Sequence, residues 1–320
     1  MVHGQSGLLE ANKVGRIPEV LRKTISRKGS VMENGDILIL GAKGMLGGQL
    51  RKVFPDALAW DRSDVDVLDL ESLTSKIRGL PAKPRVIINC VAYNDVDGAE
   101  DNPTAAFSLN AEFVGRLAAF CKEQDIIFVH FSTNYVFDGE KGEYKEEDIP
   151  KPLSVYGQSK YQGEQELQKN SDKFYLVRTA VLFGEKGESE VSKRSFVDLM
   201  LELSEKSVKI KAVTDEVNSL TFAVDLAGRV KFLLESGQPF GIYHITNEGC
   251  ASWYDYAKEI FKITGKDVEL VPVSSSEFPR KARRPKSSVL INTKLPPMRS
   301  WREALREFLL KPDKRLRIKD

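Results

Sequence analysis

The run Ile37-Leu38-Ile39-Leu40 passes without a polar break into Gly41-Ala42-Lys43-Gly44-Met45-Leu46-Gly47, and then into the helix-like Gly48-Gln49-Leu50-Arg51-Lys52-Val53-Phe54. Four consecutive apolar residues leave the strand no face for water, so it belongs in a sheet covered on both sides. A glycine-rich turn straight after such a strand lets the chain reverse sharply and start a helix. Strand, turn and helix in that order constrain this chain more than any other segment.

The same rhythm recurs. Ala57–Asp61, Val86–Val91, Ile126–Phe131, Tyr175–Arg178 and Gly241–Ile245 are further strand-like runs with helical segments between them. Buried strands alternating with helices predict an α/β fold, a Rossmann-type doubly wound parallel sheet. Beyond about residue 181 the pattern changes. A charged stretch from Glu185 to Arg194 leads to a helix over 196–203, a strand over 208–213 and a loop over 214–221. The helix over 224–234 and the strand at Gly241 return to the sheet before Trp253–Ile263 leaves it again. The expected organisation is therefore an N-terminal extension or linker (1–34), a dinucleotide-binding domain (35–180, with a return segment at about 222–246), a smaller interleaved α/β substrate domain (181–221 and 247–310) and a basic tail (311–320).

The 48 Lys+Arg nearly balance 46 Asp+Glu, so no global field selects nucleic acid or an anionic membrane. Cys90, Cys121 and Cys250 are an odd set without metal-type spacing, and no apolar stretch reaches the ~18 residues of a membrane span. These features predict a reduced, cytoplasmic protein with no metal site. His130 and His244 sit in apolar strands and read as core histidines. Trp253 and Tyr254 recur at helical spacing with Ile260 and Phe261 and read as packing.

Gly41, Gly44 and Gly47 would let backbone N–H groups and a positive helix terminus meet a pyrophosphate. Asp61, about 20 residues after the first of them, stands where such folds bind a ribose. Neighbouring Arg62 and Lys43 would suit an added phosphate, so the reading leans to NADPH while leaving NADH open. Tyr156 and Lys160, four apart on a predicted helix, share one face, where an ammonium can stabilise a phenolate and tune it for proton transfer. Thr133, at a strand end, offers a hydroxyl to hold a carbonyl oxygen.

From about residue 35 to 310 the chain resembles the dTDP-4-dehydrorhamnose reductase family of extended short-chain dehydrogenase/reductases. The carriers are GAKGMLG (41–47), NCVAYNDVDGAEDNP (89–103), SLNA (108–111), FSTNYVFDG (131–139), YGQSKYQGE (156–164), SLTFAVDLA (219–227), SWYDYAKEI (252–260) and ARRPKSSVL (282–290). The resemblance implies reduction of the 4-keto group of a dTDP-6-deoxy-4-ketohexose, giving dTDP-L-rhamnose, with a dTDP-linked sugar as partner and a homodimer allowed. It implies Tyr156 as proton donor, Lys160 on the nicotinamide ribose, Thr133 orienting the oxygen and Asn110 in support. It puts cofactor contacts on Gly44, Met45, Leu46, Asp69, Leu70, Ala92, Tyr93 and Asn94. Substrate contacts fall on Thr133, Asn134 and Val181, with Arg283 and Arg284 on the diphosphate.

Three places in the chain depart from the family pattern. Asn134 replaces the usual aspartate, Val181 stands where a tryptophan is common, and Asn218-Ser219-Leu220-Thr221 replaces Gly-x-Pro-Thr. Residues 137–164 also resemble the β subunit of methionine adenosyltransferase, which makes a cofactor-binding regulator the second reading. Another nucleotide-sugar reductase or epimerase is the third. A dehydratase is disfavoured because Asn134 and Tyr135 stand where those enzymes carry acids.

Overall fold

The computed structural model describes residues 35–189 and 194–310. The extension read over 1–34 and the tail over 311–320 lie outside the described residues. Six parallel strands form the main sheet: β1 (Ile37–Leu40), β2 (Leu58–Trp60), β3 (Val86–Asn89), β4 (Ile127–Thr133), β5 (Phe174–Thr179) and β6 (Gly241–His244). Their spatial order is β2-β1-β3-β4-β5-β6. Each is a run that the sequence analysis singled out. Every residue of β1 and β3 is buried, as strands covered on both faces must be.

Alternation along the strands divides the core. Leu38, Leu40, Ile87, Phe128 and Leu176 pack with Leu73 and Ile77 of α2 (Leu70–Arg78), Val114 and Leu117 of α3 (Phe113–Glu123) and Leu167 of α4 (Val155–Asn170). On the opposite face α1 (Met45–Val53) packs against α5 (Ala223–Glu235). Chain order reverses between β1 and β3, so the cleft at their carboxyl ends is the place where such sheets take ligands.

The second lobe has its own core, built on Phe183, Val197, Phe222, Tyr256, Ile260, Trp301 and Phe308. Trp253 and Tyr254 pack against it, in keeping with their reading as packing residues. Two features differ from expectation. The stretch over 214–221, read as a loop, contains the strands Val217–Ser219 and Thr221–Phe222. Its buried side chains there include Asn218, Ser219 and Thr221, so no apolar alternation marked them. Gly142–Tyr144, assigned to the first domain, pairs with Ser287–Leu290 in a sheet of the second lobe. The lobes interleave more deeply than the boundaries implied.

Helix α4 is set close to its neighbours by glycine. A Cβ on Gly163 would lie 2.0 Å from the Asn110 carbonyl oxygen, a backbone atom with nowhere to go. Gly163→Ala should cost about 1–3 kcal/mol through forced displacement. Urea denaturation reads this directly, and an unchanged midpoint would refute the close-packing account.

Candidate active site

The cradle comes first. Gly41 adopts φ +76°, a region glycine enters without penalty, and its N–H donates to the Trp60 carbonyl at 2.9 Å. Gly44 caps α1 with no side-chain acceptor, and Gly187 lies so close over the helix start that a Cβ on it would come within 2.7 Å of the Met45 nitrogen. A Cβ on Gly47 would meet the Gly41 carbonyl oxygen at 2.2 Å, so only glycine lets the helix start this close to the turn. Met45 and Leu46 supply the first helical turn. A glycine turn at a helix terminus is the kind of feature that meets a diphosphate, and here the segment at Gly187 lies over it.

At the end of β2, the Asp61 carboxylate lies 3.9 Å from Lys43 Nζ, which also donates to Ser63 Oγ at 3.0 Å, and Arg62 is exposed beside them. Across the switch point, Ala92 and Tyr93 are half-buried and Asn94 exposed. The Tyr93 N–H donates to Asn110 Oδ1 at 2.8 Å, while Asn110 Nδ2 donates to the Tyr93 carbonyl and to Ser159 Oγ. Asn110 lies in a π-helical turn, Ser108–Glu112, a geometry that recurs at functional sites.

Ser189 N–H donates to the Lys43 carbonyl at 3.1 Å, and Glu185 accepts from Lys52 at 2.6 Å. The second lobe thus reaches the rim of the cradle.

Ser154 caps α4 by accepting from Gly157 N–H at 3.1 Å, which fixes where the helix begins. Tyr156 and Lys160 follow on one face, both buried. Lys160 Nζ donates to the Phe131 carbonyl of β4 at 2.6 Å. Two residues along that strand, Thr133 accepts the Tyr135 N–H at 3.2 Å, and its side chain lies near enough to the Tyr156 phenol to pull its pKa down. The structure therefore brings Thr133, Tyr156 and Lys160 together.

The electrostatics correct one expectation. The sequence suggested a phenol acidified by Lys160. Burial instead pushes Tyr156 up to about 12, with the Thr133 side chain pulling the other way. Burial also brings Lys160 down to about 8, opposed by the charge of Glu164. Two charge-poor walls favour the neutral form of each group. For a proton donor this is the useful direction, because the phenol stays loaded at neutral pH.

Several assigned contacts are placed otherwise. Asn134 is buried, and its Nδ2 donates to Asn218 Oδ1 at 2.9 Å and Ser288 Oγ at 2.7 Å, while its Oδ1 accepts from Thr133 Oγ1 at 3.3 Å. Its amide is thus committed to the second lobe and to Thr133 rather than turned toward a sugar. The Arg284 guanidinium grips both oxygens of Asp97, each at 2.6 Å, and this pairing holds the Asp97 carboxyl down at about 2. Of the two arginines, Arg283 is the exposed one. The Asp69 carboxylate caps α2 through Ser72 N–H at 3.0 Å, its own N–H donates to the Asp66 carbonyl, and Leu70 packs on the main-sheet core.

Val181 adopts φ +37°, a strained region for a β-branched residue, and packs against the second core with its carbonyl accepting from Thr221 N–H at 3.2 Å. His130 accepts from Asn89 Nδ2 at 3.1 Å, and burial keeps it neutral. His244 is likewise held down at about 3, by burial and by Arg178. Both behave as core histidines.

The sequence analysis missed Asn218, Ser288, Glu164 and Arg178. Only Glu164 carried a local signal, four residues beyond Lys160 on the same helical face.

Comparison with known proteins shows the family. The family model described as RmlD substrate binding domain matches residues 35–313. A dTDP-4-dehydrorhamnose reductase of Aggregatibacter actinomycetemcomitans is 38% identical over 276 residues, covering 81% of this chain and 91% of that protein. A probable dTDP-4,6-dihydroxy-2-methyloxan-3-one 4-ketoreductase of Streptomyces antibioticus is also 38% identical, over 284 residues, with 84% and 93% covered. The dTDP-4-dehydrorhamnose reductase of Bacillus anthracis, solved in complex with NADP, superimposes with a TM-score of 0.81 at 31% identity, covering 87% of this chain and 99% of that one. With a switch-point cradle, a buried Thr-Tyr-Lys set and a family match along nearly the whole described chain, this protein belongs to the dTDP-4-dehydrorhamnose reductase family.

Proposed function

We propose that this protein is an NADPH-dependent oxidoreductase that reduces the 4-keto group of a dTDP-6-deoxy-4-ketohexose, converting dTDP-4-dehydro-L-rhamnose to dTDP-L-rhamnose. The observation that carries this reading is the meeting of Tyr156, Thr133 and Lys160 at the carboxyl end of β4, beside the glycine cradle. Gly44, Met45 and Leu46 would hold the diphosphate of NADPH, with Lys43, Asp61 and Arg62 toward its adenosine end. When bound, NADPH supplies the hydride.

The chain's own residues do the rest. Thr133 positions the ketone oxygen, and Tyr156 Oη gives up its proton as negative charge develops on that oxygen. Lys160 holds the nicotinamide ribose, and its charge offsets the phenolate that is left. Asn110 ties the Tyr93 turn to Ser159 and keeps α4 in register with the cradle.

NADPH is favoured over NADH because Lys43 already approaches the carboxylate of Asp61 and Arg62 stands exposed for a phosphate. Three free thiols suit a reducing cytoplasm, and no described helix is long and apolar enough to cross a membrane. The rhamnose precursor is favoured among ketosugars by the named reductases at 35–38% identity.

The test is oxidation of NADPH and NADH by the purified protein with enzymatically generated dTDP-4-dehydro-L-rhamnose, with the product identified by NMR. NADPH consumption with formation of dTDP-L-rhamnose is expected. Turnover of a different dTDP-4-ketohexose would revise the sugar. No turnover of any of them would overturn the reading.

A further inference from the structure

Four charged side chains are buried around α4: Lys160, Glu164, Arg178 and Glu146. Formally their charges sum to zero. Glu164 grips the Arg178 guanidinium through Nε at 3.0 Å and Nη2 at 2.7 Å, and Arg178 Nη1 donates to the Glu146 backbone carbonyl at 3.2 Å. The Glu146 carboxylate accepts from His244 N–H at 3.2 Å and from Thr293 Oγ1 at 2.7 Å. Lys160 differs from Arg178, since the hydrogen bond described for its ammonium goes to a neutral carbonyl. Glu164 follows it by one helical turn on the same face.

We propose that Glu164 is a positioning residue for the reduction, its carboxylate keeping the buried Lys160 ammonium charged from one turn below. This inference rests on the reductase reading above. A buried ammonium without an anion nearby would shed its proton rather than stay charged in a charge-poor wall. Loss of that proton would leave the departing phenolate of Tyr156 without its balancing cation. The titratable and charged groups that face Lys160 and Glu164 are Tyr156 on α4, His130 on β4, Arg178 on β5, His244 on β6 and Glu146 in the segment before α4. Both histidines are held neutral and Arg178 is positive, so none of the three strands supplies the anion, and the Glu146 carboxylate is turned to the His244 N–H and Thr293. The interaction of Glu164 with Lys160 opposes the effect of burial on the lysine.

The experiment is kcat/KM for NADPH-linked ketosugar reduction between about pH 6 and pH 10. In the wild type the alkaline limb should fall near the Lys160 value of about 8. In Glu164→Gln it should move down by about one pH unit. Above both midpoints the variant is then about tenfold less efficient than wild type, and below both it is within about twofold. The paired variant Glu164→Gln/Arg178→Gln removes the ion pair as a unit and leaves no buried guanidinium alone. It should show the same lowered limb, whereas a Glu164 that merely partners Arg178 predicts the wild-type limb there. Glu164→Asp keeps the charge and should keep the limb. An unmoved limb in the paired variant, or an aspartate limb lowered as far as the glutamine one, overturns the inference. Should neither glutamine variant fold, Glu164→Leu/Arg178→Leu, which replaces the ion pair by apolar side chains, takes their place with the same two outcomes. A wild type with no NADPH-linked turnover would remove the reductase reading itself, a different outcome from active enzyme with an unmoved limb.

Discussion

Tyr156→Phe lowers kcat for ketosugar reduction by about two to four orders of magnitude while leaving NADPH affinity within about threefold. The substitution deletes one oxygen and keeps the ring, so the edge-to-face contact with Tyr135, centroids 6.2 Å apart, survives. What disappears is the only proposed source of the proton. Burial holds the Tyr156 phenol near 12, so at neutral pH nearly every molecule carries the proton that reduction consumes. The alkaline limb of wild-type activity near pH 8 should therefore report Lys160 and not Tyr156. Stopped-flow reduction and fluorescence titration of NADPH separate the two effects. A Phe variant that retains more than a tenth of wild-type turnover would show that water or another group protonates the ketone oxygen.

Gly47→Ala weakens NADPH binding by at least about tenfold, equivalent to about 1.4 kcal/mol, and lowers the melting temperature as well. The added carbon would sit 2.2 Å from the Gly41 carbonyl oxygen and 2.9 Å from Ala42 Cα, both backbone atoms. Relief requires α1 to move off the turn, and the helix terminus that would face the diphosphate moves with it. Gly48→Ala is the matched control. Nothing lies within 4 Å of a Cβ built there, and alanine in a helix is favoured by up to about 1 kcal/mol over glycine, so affinity should hold and stability should rise slightly. Equal affinities in the two variants would mean that the cradle does not bind the cofactor.

Features set by local pattern were legible in the chain. The six strands of the main sheet show as apolar runs, the cradle as glycines between strand and helix, and Tyr156 with Lys160 as a spacing of four. Features set by distant pairing were not. Asn134 meets Asn218 and Ser288 because the strand Val217–Ser219 lies beside Ser287–Leu290, a register no local pattern encodes. Arg284 looked like a phosphate ligand until Asp97, 187 residues away, took both arms of its guanidinium. The acidity of Tyr156 was misjudged for a related reason, since the spacing to Lys160 is visible in sequence while the desolvation that outweighs it depends on the assembled walls.

The crossing of Gly142–Tyr144 into the sheet of Ser287–Leu290 bears on how this protein can be re-engineered. A cassette swap at residue 181 would carry off Ser287–Leu290 and strand its partner in the half left behind. Transplanting residues 181–310 between paralogues should thus yield insoluble chimeras. Changes to that segment are better made one side chain at a time, as at Val181, where the backbone stands at φ +37° and a glycine would relieve the strain.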